Sequence, residues 1–119
     1  MIPITVRGNL GADPELKFKD DLAITTLRLA HTPRIKEKGE WHDGEVMWFR
    51  VTIFGPTAEG AAGLFKKGDA VLVVGKFRQV SYEKDGVERQ GLEITADEVA
   101  AVVVRFIKSK AATTDEPAW

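Results

Sequence analysis

The 119-residue sequence contains no cysteine and only two histidines, His31 and His42. Without thiols the chain can form neither disulfides nor cysteine-ligated zinc sites, and it offers no thiolate nucleophile. The two histidines lack the close spacing of a paired-histidine zinc site and the motif partners of a catalytic nucleophile. The residue content therefore predicts no metal, no cofactor and no enzymatic activity.

Long apolar runs and an excess of one charge are also missing. No apolar run approaches the roughly 20 residues that cross a bilayer, and residues 1–7 show no basic leader with an apolar core. We therefore expect a cytoplasmic protein without membrane contact. The 17 Lys and Arg residues are balanced by 18 Asp and Glu residues. A phosphate-binding surface would have to arise from the placement of cations, because their number gives no excess.

The chain does contain enough apolar material for one folded domain. Apolar residues make up 44% and charged residues 29% of the sequence, which is typical of a globular protein. A second independent domain has no room in this length. We assign residues 1–108 to the domain and residues 109–119 to a short, disordered acidic tail, because the tail shows no periodicity.

Alternating apolar and polar residues predict strands over residues 2–7, 22–31, 46–54, 70–82 and 87–95. Residues 58–65 are predicted to form a short helix with Thr57 as its candidate cap, and residues 83–86 a hairpin turn. Residues 32–45 are predicted to be a long exposed loop or an extended hairpin. Valine-rich residues 99–108 favour an extra C-terminal strand.

This order of elements predicts an all-β fold. Three strands, a short helix and two further strands are typical of the oligonucleotide-binding (OB) fold, a five-stranded barrel. Its ligand surface lies on the second and third strands and the adjoining loops. The strand over residues 99–108 would be an addition to that barrel.

Two predicted strands combine aromatic and basic residues on one face. On the third strand this face carries Trp48, Arg50, Thr52 and Phe54. The opposite face, which we assign to the core, carries Met47, Phe49, Val51 and Ile53. On the fourth strand the corresponding face carries Lys76, Arg78, Val80 and Tyr82. Such faces can stack unpaired bases, at roughly 1–3 kcal/mol per base, and contact phosphates.

The alternative for either strand alone is that its aromatics are half-buried sheet residues. The same mixture on two strands favours nucleic-acid binding. The segment 32–45 adds Arg34, which we include among the candidate DNA contacts, together with Lys36, Lys38 and Trp41. Because four acidic residues dilute this charge, a solvated loop and a binding loop fit the composition equally well.

Three segments resemble motifs of the bacterial single-stranded DNA-binding proteins. They are Gly8-Asn9-Leu10-Gly11-Ala12-Asp13-Pro14-Glu15, Trp48-Phe49-Arg50-Val51-Thr52-Ile53-Phe54-Gly55, and Lys67-Gly68-Asp69-Ala70-Val71 continuing through Val74-Gly75-Lys76. Together they span most of residues 2–97 in the family's order. The resemblance implies an OB-fold homotetramer, associated with the nucleoid, that coats single-stranded DNA in replication, recombination and repair without a cofactor.

The resemblance also implies roles for individual residues. The family's stacking aromatics fall on Trp48 and Phe54, and Tyr82 stands at a position often held by Trp. Arg50 and Arg78 match basic positions on the same surface. Ile35 departs from the pattern, because it stands where many members carry a stacking Trp; that stacking site is either lost or supplied by Trp41.

The C-terminal residues resemble a shortened form of the family's acidic tip, which recruits replication and repair proteins. The matching residues are Asp115, Glu116, Pro117 and Trp119. Residues 99–108 are similar to a C-terminal strand that clamps subunits together in some branches. The short tail favours a specialised paralogue.

The sequence favours two candidate functions. The first is sequence-tolerant binding and protection of single-stranded DNA. The alternative is an OB-fold assembly or primosomal accessory module whose aromatic face binds protein, and an exposed apolar residue such as Val80 beside Tyr82 motivates it.

Overall fold

A computed structural model describes residues 1–103 of the chain. The predicted tail, 109–119, and residues 104–108 of the predicted last strand lie outside the described residues. The elements, in chain order, are β1 (Ile2–Leu10), β2 (Glu15–Lys19), β3 (Leu22–His31), β4 (Arg34–Glu37), β5 (Glu40–Asp43), β6 (Met47–Phe54), α1 (Pro56–Leu64), β7 (Ala70–Lys84) and β8 (Val87–Ala101).

The five long strands close into a ring. β1 pairs antiparallel with β7, β7 with β8, and β3 with β6, while β6 and β8 run parallel. The ring closes where Asn9 and Leu10 of β1 pair with Ala30 and Leu29 of β3. This topology confirms the predicted five-stranded OB barrel, with α1 between its third and fourth strands.

The barrel interior is filled by the faces that the alternation assigned to the core. Phe49, Val51 and Ile53 of β6 are buried, as predicted. They pack in one cluster with apolar residues of β3, β7 and β8, including Leu27, Leu29, Val71, Val73 and Ile94. Met47 is 39% exposed, so its assignment to the core is wrong. It lies at the first residue of β6, opposite His31 at the end of β3, where the barrel no longer covers it.

Helix α1 packs on the barrel through Ala58 and Ala61. The buried Thr25 hydroxyl of β3 donates a hydrogen bond of 2.7 Å to the Ala58 carbonyl and ties the helix to the sheet. The predicted cap Thr57 is wrong. The N-cap is Gly55 at φ 74°, and no side chain caps the helix. Glycine suits this position because the left-handed backbone region is strained for other residues.

Strand β2 has no counterpart among the predicted elements. It pairs antiparallel with β3, opposite Leu22 to Thr26, and all five of its residues are exposed. The connecting turn places Asp20 and Asp21 at φ 49° and 67°, the pair of positive values that a tight hairpin turn requires. Its sequence alternates Glu15, Lys17 and Lys19 with Leu16 and Phe18, a signal that the strand prediction overlooked.

The end of the barrel also differs from the prediction. β8 runs without a break to Ala101, and Val99 pairs with Val73. The expected extra strand therefore begins, over residues 99–101, as the end of β8. The polar pair Asp97-Glu98 suggested a break between two strands. Instead, the register of the β7–β8 pairing shifts between Val74 and Gly75 of β7. The two strands remain paired on both sides of this shift.

The polar segment 32–45 forms the extended-hairpin alternative. β4 and β5 pair with each other as a separate two-stranded sheet. The turn uses Lys38 at φ 51° and Gly39 at φ 81°. We refer to β4, β5 and their turn as the arm.

Candidate functional site

The outer face of the barrel brings residues of four strands into register. One row contains Arg28, Arg50, Glu93 and Arg78, on β3, β6, β8 and β7 in that order. The next row contains Thr26, Thr52, Thr95 and Lys76. Residues directly opposite each other on paired strands lie on the same face. The predicted residues Arg50, Thr52, Lys76 and Arg78 therefore share one surface.

An open groove of about 590 Å³ lies on this surface. Its walls include Trp48 and Arg50 of β6, Arg28 of β3, Tyr82 of β7 and Glu93 of β8. The charged residues that line it are three basic and two acidic, Lys17, Arg28, Arg50, Glu15 and Glu93. The groove thus combines two aromatic rings with cations on β2, β3 and β6, a combination that can hold a stacked, charged chain.

Trp48 is held against the turn between β1 and β2. Its side chain is 55% exposed, and a Cβ placed on Gly11 would lie 2.5 Å from the ring atom Cζ3. The Gly11 amide donates a hydrogen bond of 2.9 Å to the Arg28 carbonyl, which fixes this turn beside β3. Glycine at position 11 therefore leaves the space that the indole occupies.

Tyr82 lies against a glycine in a similar way, on the hairpin formed by β7 and β8. Its side chain is 47% exposed, and a Cβ placed on Gly91 would lie 3.3 Å from the ring atom Cε1. The ring therefore lies close to the backbone of β8. Val80, next to it on the same face of β7, also lines the groove.

Phe54 lies on the same strand as Trp48 but outside the groove. It is 45% exposed and pairs with Ile24 near the other end of the β3–β6 ladder. Six residues separate it from Trp48, or about 20 Å along an extended strand. The two rings are therefore separate positions on one long surface.

The two predicted arginines of the central row share one carboxylate. Nε and Nη2 of Arg78 donate to Oε1 of Glu93 at 3.2 and 3.1 Å. Nη1 of Arg50 lies 3.8 Å from Oε2 of the same residue. The Glu93 side chain is 29% exposed, whereas the two arginine side chains are 66% and 60% exposed. Both cations thus already have a partner before any ligand binds.

Of the predicted basic residues, Arg50 lines the groove, Lys76 and Arg78 lie on the same face outside its lining, and Arg34 lies apart. It lies on the arm, where its Nη1 is 3.4 Å from Oδ1 of Asp43. Lys36 shares this face and places its Nζ 5.9 Å from the centroid of the Trp41 ring. Ile35 pairs with His42 and so points to the opposite face of the arm. Trp41 therefore does not occupy the same face as Ile35, the position where the family resemblance places a stacking ring.

Sequence reasoning missed three residues that shape this surface: Arg28, Glu93 and Gly11. Arg28 alternates with apolar residues in the second predicted strand, and the OB ligand surface includes that strand, so a search of it would have found the cation. Glu93 gave no signal of its own, and Gly11 stood only within the motif of residues 8–15, without a role. Their importance comes from neighbours that lie far away in the sequence.

Two searches of the described residues found no feature of another kind. Residues 1–103 contain no group of three or more His, Cys, Asp or Glu side chains placed to hold a metal ion. Within the same range, no helix has the length and apolar character to cross a membrane.

Comparison with known proteins identifies relatives of this barrel. The single-stranded DNA-binding protein of Mycobacterium leprae is 40% identical over 100 residues, 81% of this chain and 60% of that protein. The protein of the same name from Corynebacterium glutamicum is 41% identical over 100 residues, 81% of this chain and 44% of its own length. The chain thus spans between two fifths and two thirds of these relatives.

A solved structure shows the same fold over nearly its whole length. The crystal structure of the small single-stranded DNA-binding protein from Streptomyces coelicolor superposes with a TM-score of 0.76 at 28% identity, covering 87% of this chain and 96% of that one. The profile of the single-strand binding protein family matches residues 1–102. The chain therefore belongs to the single-strand binding protein family.

Proposed function

We propose that the protein binds and protects single-stranded DNA without sequence preference. Bases stack on Trp48, Phe54 and Tyr82, and the sugar-phosphate chain is contacted by Arg50, Arg78, Lys76, Thr52 and Arg34. The observation that carries the proposal is the groove, which is lined by the two exposed rings of Trp48 and Tyr82 together with Arg28 and Arg50. Family membership and the names of the relatives support the same ligand.

The exposure of the aromatic rings supports stacking over a purely structural role. Trp48, Phe54 and Tyr82 leave 55%, 45% and 47% of their surfaces in water. Keeping large rings exposed forgoes the stabilisation that burial would give. A stacked base recovers it, at roughly 1–3 kcal/mol per ring, and every base can do so because each has a π-face. Binding of this kind does not depend on sequence.

The test is a titration of intrinsic tryptophan fluorescence with oligo(dT) at about 50 and 200 mM salt. We expect quenching, and an affinity that falls with salt with a slope of about −0.7 per phosphate contacted. Trp48→Ala should weaken binding by roughly 1–3 kcal/mol, whereas duplex of the same length should compete poorly. Equal affinity for duplex and single strand would contradict the proposal.

We further propose that the protein acts as a homotetramer in replication, recombination and repair, in the cytoplasm with the nucleoid and without catalysis or a cofactor. Exposed apolar side chains outside the groove, such as Ile2, Phe18 and Val87, offer surface for contacts between copies. Sedimentation equilibrium tests the assembly, and a monomer at all concentrations would contradict it. Recruitment of replication or repair proteins by Asp115, Glu116, Pro117 and Trp119 is tested by deleting residues 109–119.

The alternative is an assembly or primosomal accessory module on the same barrel, in which the aromatic face binds protein. The apolar groove residue Val80, beside Tyr82 on the same face of β7, favours it. Tryptophan fluorescence unchanged by oligo(dT), together with co-purification of a replication protein, would select this function.

A further inference from the structure

Glu93 lies at the centre of the arginine row. Its backbone pairs with Arg50 on one side and Arg78 on the other, and its carboxylate contacts both guanidinium groups at 3.1 to 3.8 Å. It also lines the groove. One acidic side chain thus occupies two of the cations that the proposed function assigns to DNA phosphates.

The contact geometry puts Glu93 in direct competition with a phosphate. Arg78 uses its Nε and Nη2 donors together on one carboxylate oxygen. These two donors form one edge of the guanidinium, and an edge of this kind binds a phosphate with paired hydrogen bonds. A DNA phosphate that approaches this edge must replace the carboxylate or share the donors with it.

We propose that Glu93 is an internal anionic competitor that sets the affinity of the groove for single-stranded DNA and lowers its salt dependence. The proposal rests on the proposed function. Each exposed ion pair that DNA must break costs up to about fivefold in the binding constant. When a phosphate displaces Glu93, the freed carboxylate attracts a cation, which offsets part of the counterion release from the DNA, so the salt slope is shallower than the cations alone would give. The groove therefore releases strands more readily than a groove with free arginines.

A scaffolding role for Glu93 predicts the opposite change. If the carboxylate served only to hold Arg50 and Arg78 in a productive geometry, its removal would release two long side chains and weaken binding. The sign of the change in affinity therefore separates the two roles.

The experiment compares wild type with Glu93→Gln and Glu98→Gln by fluorescence anisotropy of labelled oligo(dT), at about 50 and 200 mM salt. Glu93→Gln removes the charge and keeps the shape. Glu98→Gln is the matched control, because Glu98 is exposed on the same strand, does not line the groove and makes no ion pair within the described residues. Both variants change the net charge equally. Thermal unfolding of each variant confirms that it is folded.

We expect Glu93→Gln to bind about fivefold more tightly at the lower salt. We expect its salt slope to steepen by about 0.7, equivalent to one additional phosphate contact. Glu98→Gln should stay close to wild type. In an Arg78→Gln background the gain from Glu93→Gln should shrink, because one of the two released cations is absent.

Each contrary result has a distinct meaning. If wild type fails to bind oligo(dT), the proposed function is overturned and this inference with it. If wild type binds but Glu93→Gln binds equally or more weakly, only the inference is overturned. An equal gain in Glu98→Gln would also overturn it, because net charge and not the position of Glu93 would then account for the effect.

Discussion

The support that Gly11 gives to Trp48 leads to a sharp prediction for Gly11→Ala. The added Cβ would lie 2.5 Å from Cζ3 and 2.6 Å from Cη2 of the indole, whereas ordinary contact begins at 3.4 Å. The colliding atoms are at the far end of a half-exposed side chain, and Gly11 is not among the residues with positive φ. We therefore expect the fold to persist while the ring moves outward by roughly 1 Å.

The expected loss in affinity follows from that displacement. A radial gap of about 0.5–1 Å forfeits a quarter to a half of a dispersion contact, and stacking contributes roughly 1–3 kcal/mol per base. Gly11→Ala should therefore weaken oligo(dT) binding by about 0.3–1.5 kcal/mol, or roughly 1.5- to tenfold. Trp48→Ala should weaken oligo(dT) binding more than Gly11→Ala does, because it removes the ring entirely.

Anisotropy of labelled oligo(dT) measures these affinities, and urea denaturation checks the stability of each variant. The control is Gly63→Ala, since a Cβ at this position in α1 meets nothing within 4 Å. A second test combines Gly11→Ala with Trp48→Ala, because a change that acts through the indole has no further effect once the indole is gone. Wild-type affinity in Gly11→Ala, or an undiminished loss in the Trp48→Ala background, would refute the reasoning.

Three other changes probe the barrel and the arm. In Gly75→Ala the new Cβ would collide with a carbonyl of the neighbouring strand β8. Because backbone atoms cannot swing aside, urea denaturation should show a free energy of unfolding lower by about 1–3 kcal/mol. A stability equal to that of Gly60→Ala, where the space is open, would count against this. Thr25→Val removes the hydrogen bond to Ala58 and should lower the unfolding free energy by about 1 kcal/mol, so an unchanged denaturation midpoint would argue that the bond adds nothing. Trp41→Ala should weaken the binding of long oligo(dT) more than that of short oligo(dT), because the arm forms a sheet separate from the barrel; equal losses for both lengths would contradict a role in extending the site.

The sequence predicted those parts of the fold that have one buried and one exposed face. β6 is the clearest case, because burial alternates along Phe49, Val51 and Ile53 as hydrophobicity does. β2 was overlooked although Leu16 and Phe18 alternate with charged residues, and its pairing with β3, not a buried side, makes it a strand. β8 was divided because Asp97-Glu98 has the polarity of a loop, although backbone pairing with β7 continues on both sides of it.

The same reasoning explains what could be predicted of the candidate site. Alternation along a single strand correctly placed Trp48, Arg50 and Thr52 on one face. It could not show which strand lies beside β6. That neighbour is β8, joined through a parallel pairing that spans more than 40 residues of sequence. Glu93 acquires its position between two arginines only through this long-range pairing, so no local pattern identifies it.

A nearly neutral chain can still prefer single strands strongly if stacking carries most of the binding free energy. The cations of the groove are few, and Arg50 and Arg78 are already paired with Glu93, so charge alone attracts duplex and single strand only weakly. Trp48 and Tyr82, in contrast, can stack only on bases that are not enclosed in a double helix. Because the electrostatic contribution is common to both forms of DNA and the stacking contribution is not, the ratio of the two affinities is set by stacking. On this argument, the pairing of the arginines with Glu93 lowers affinity for both forms and leaves the preference for single strands to Trp48 and Tyr82.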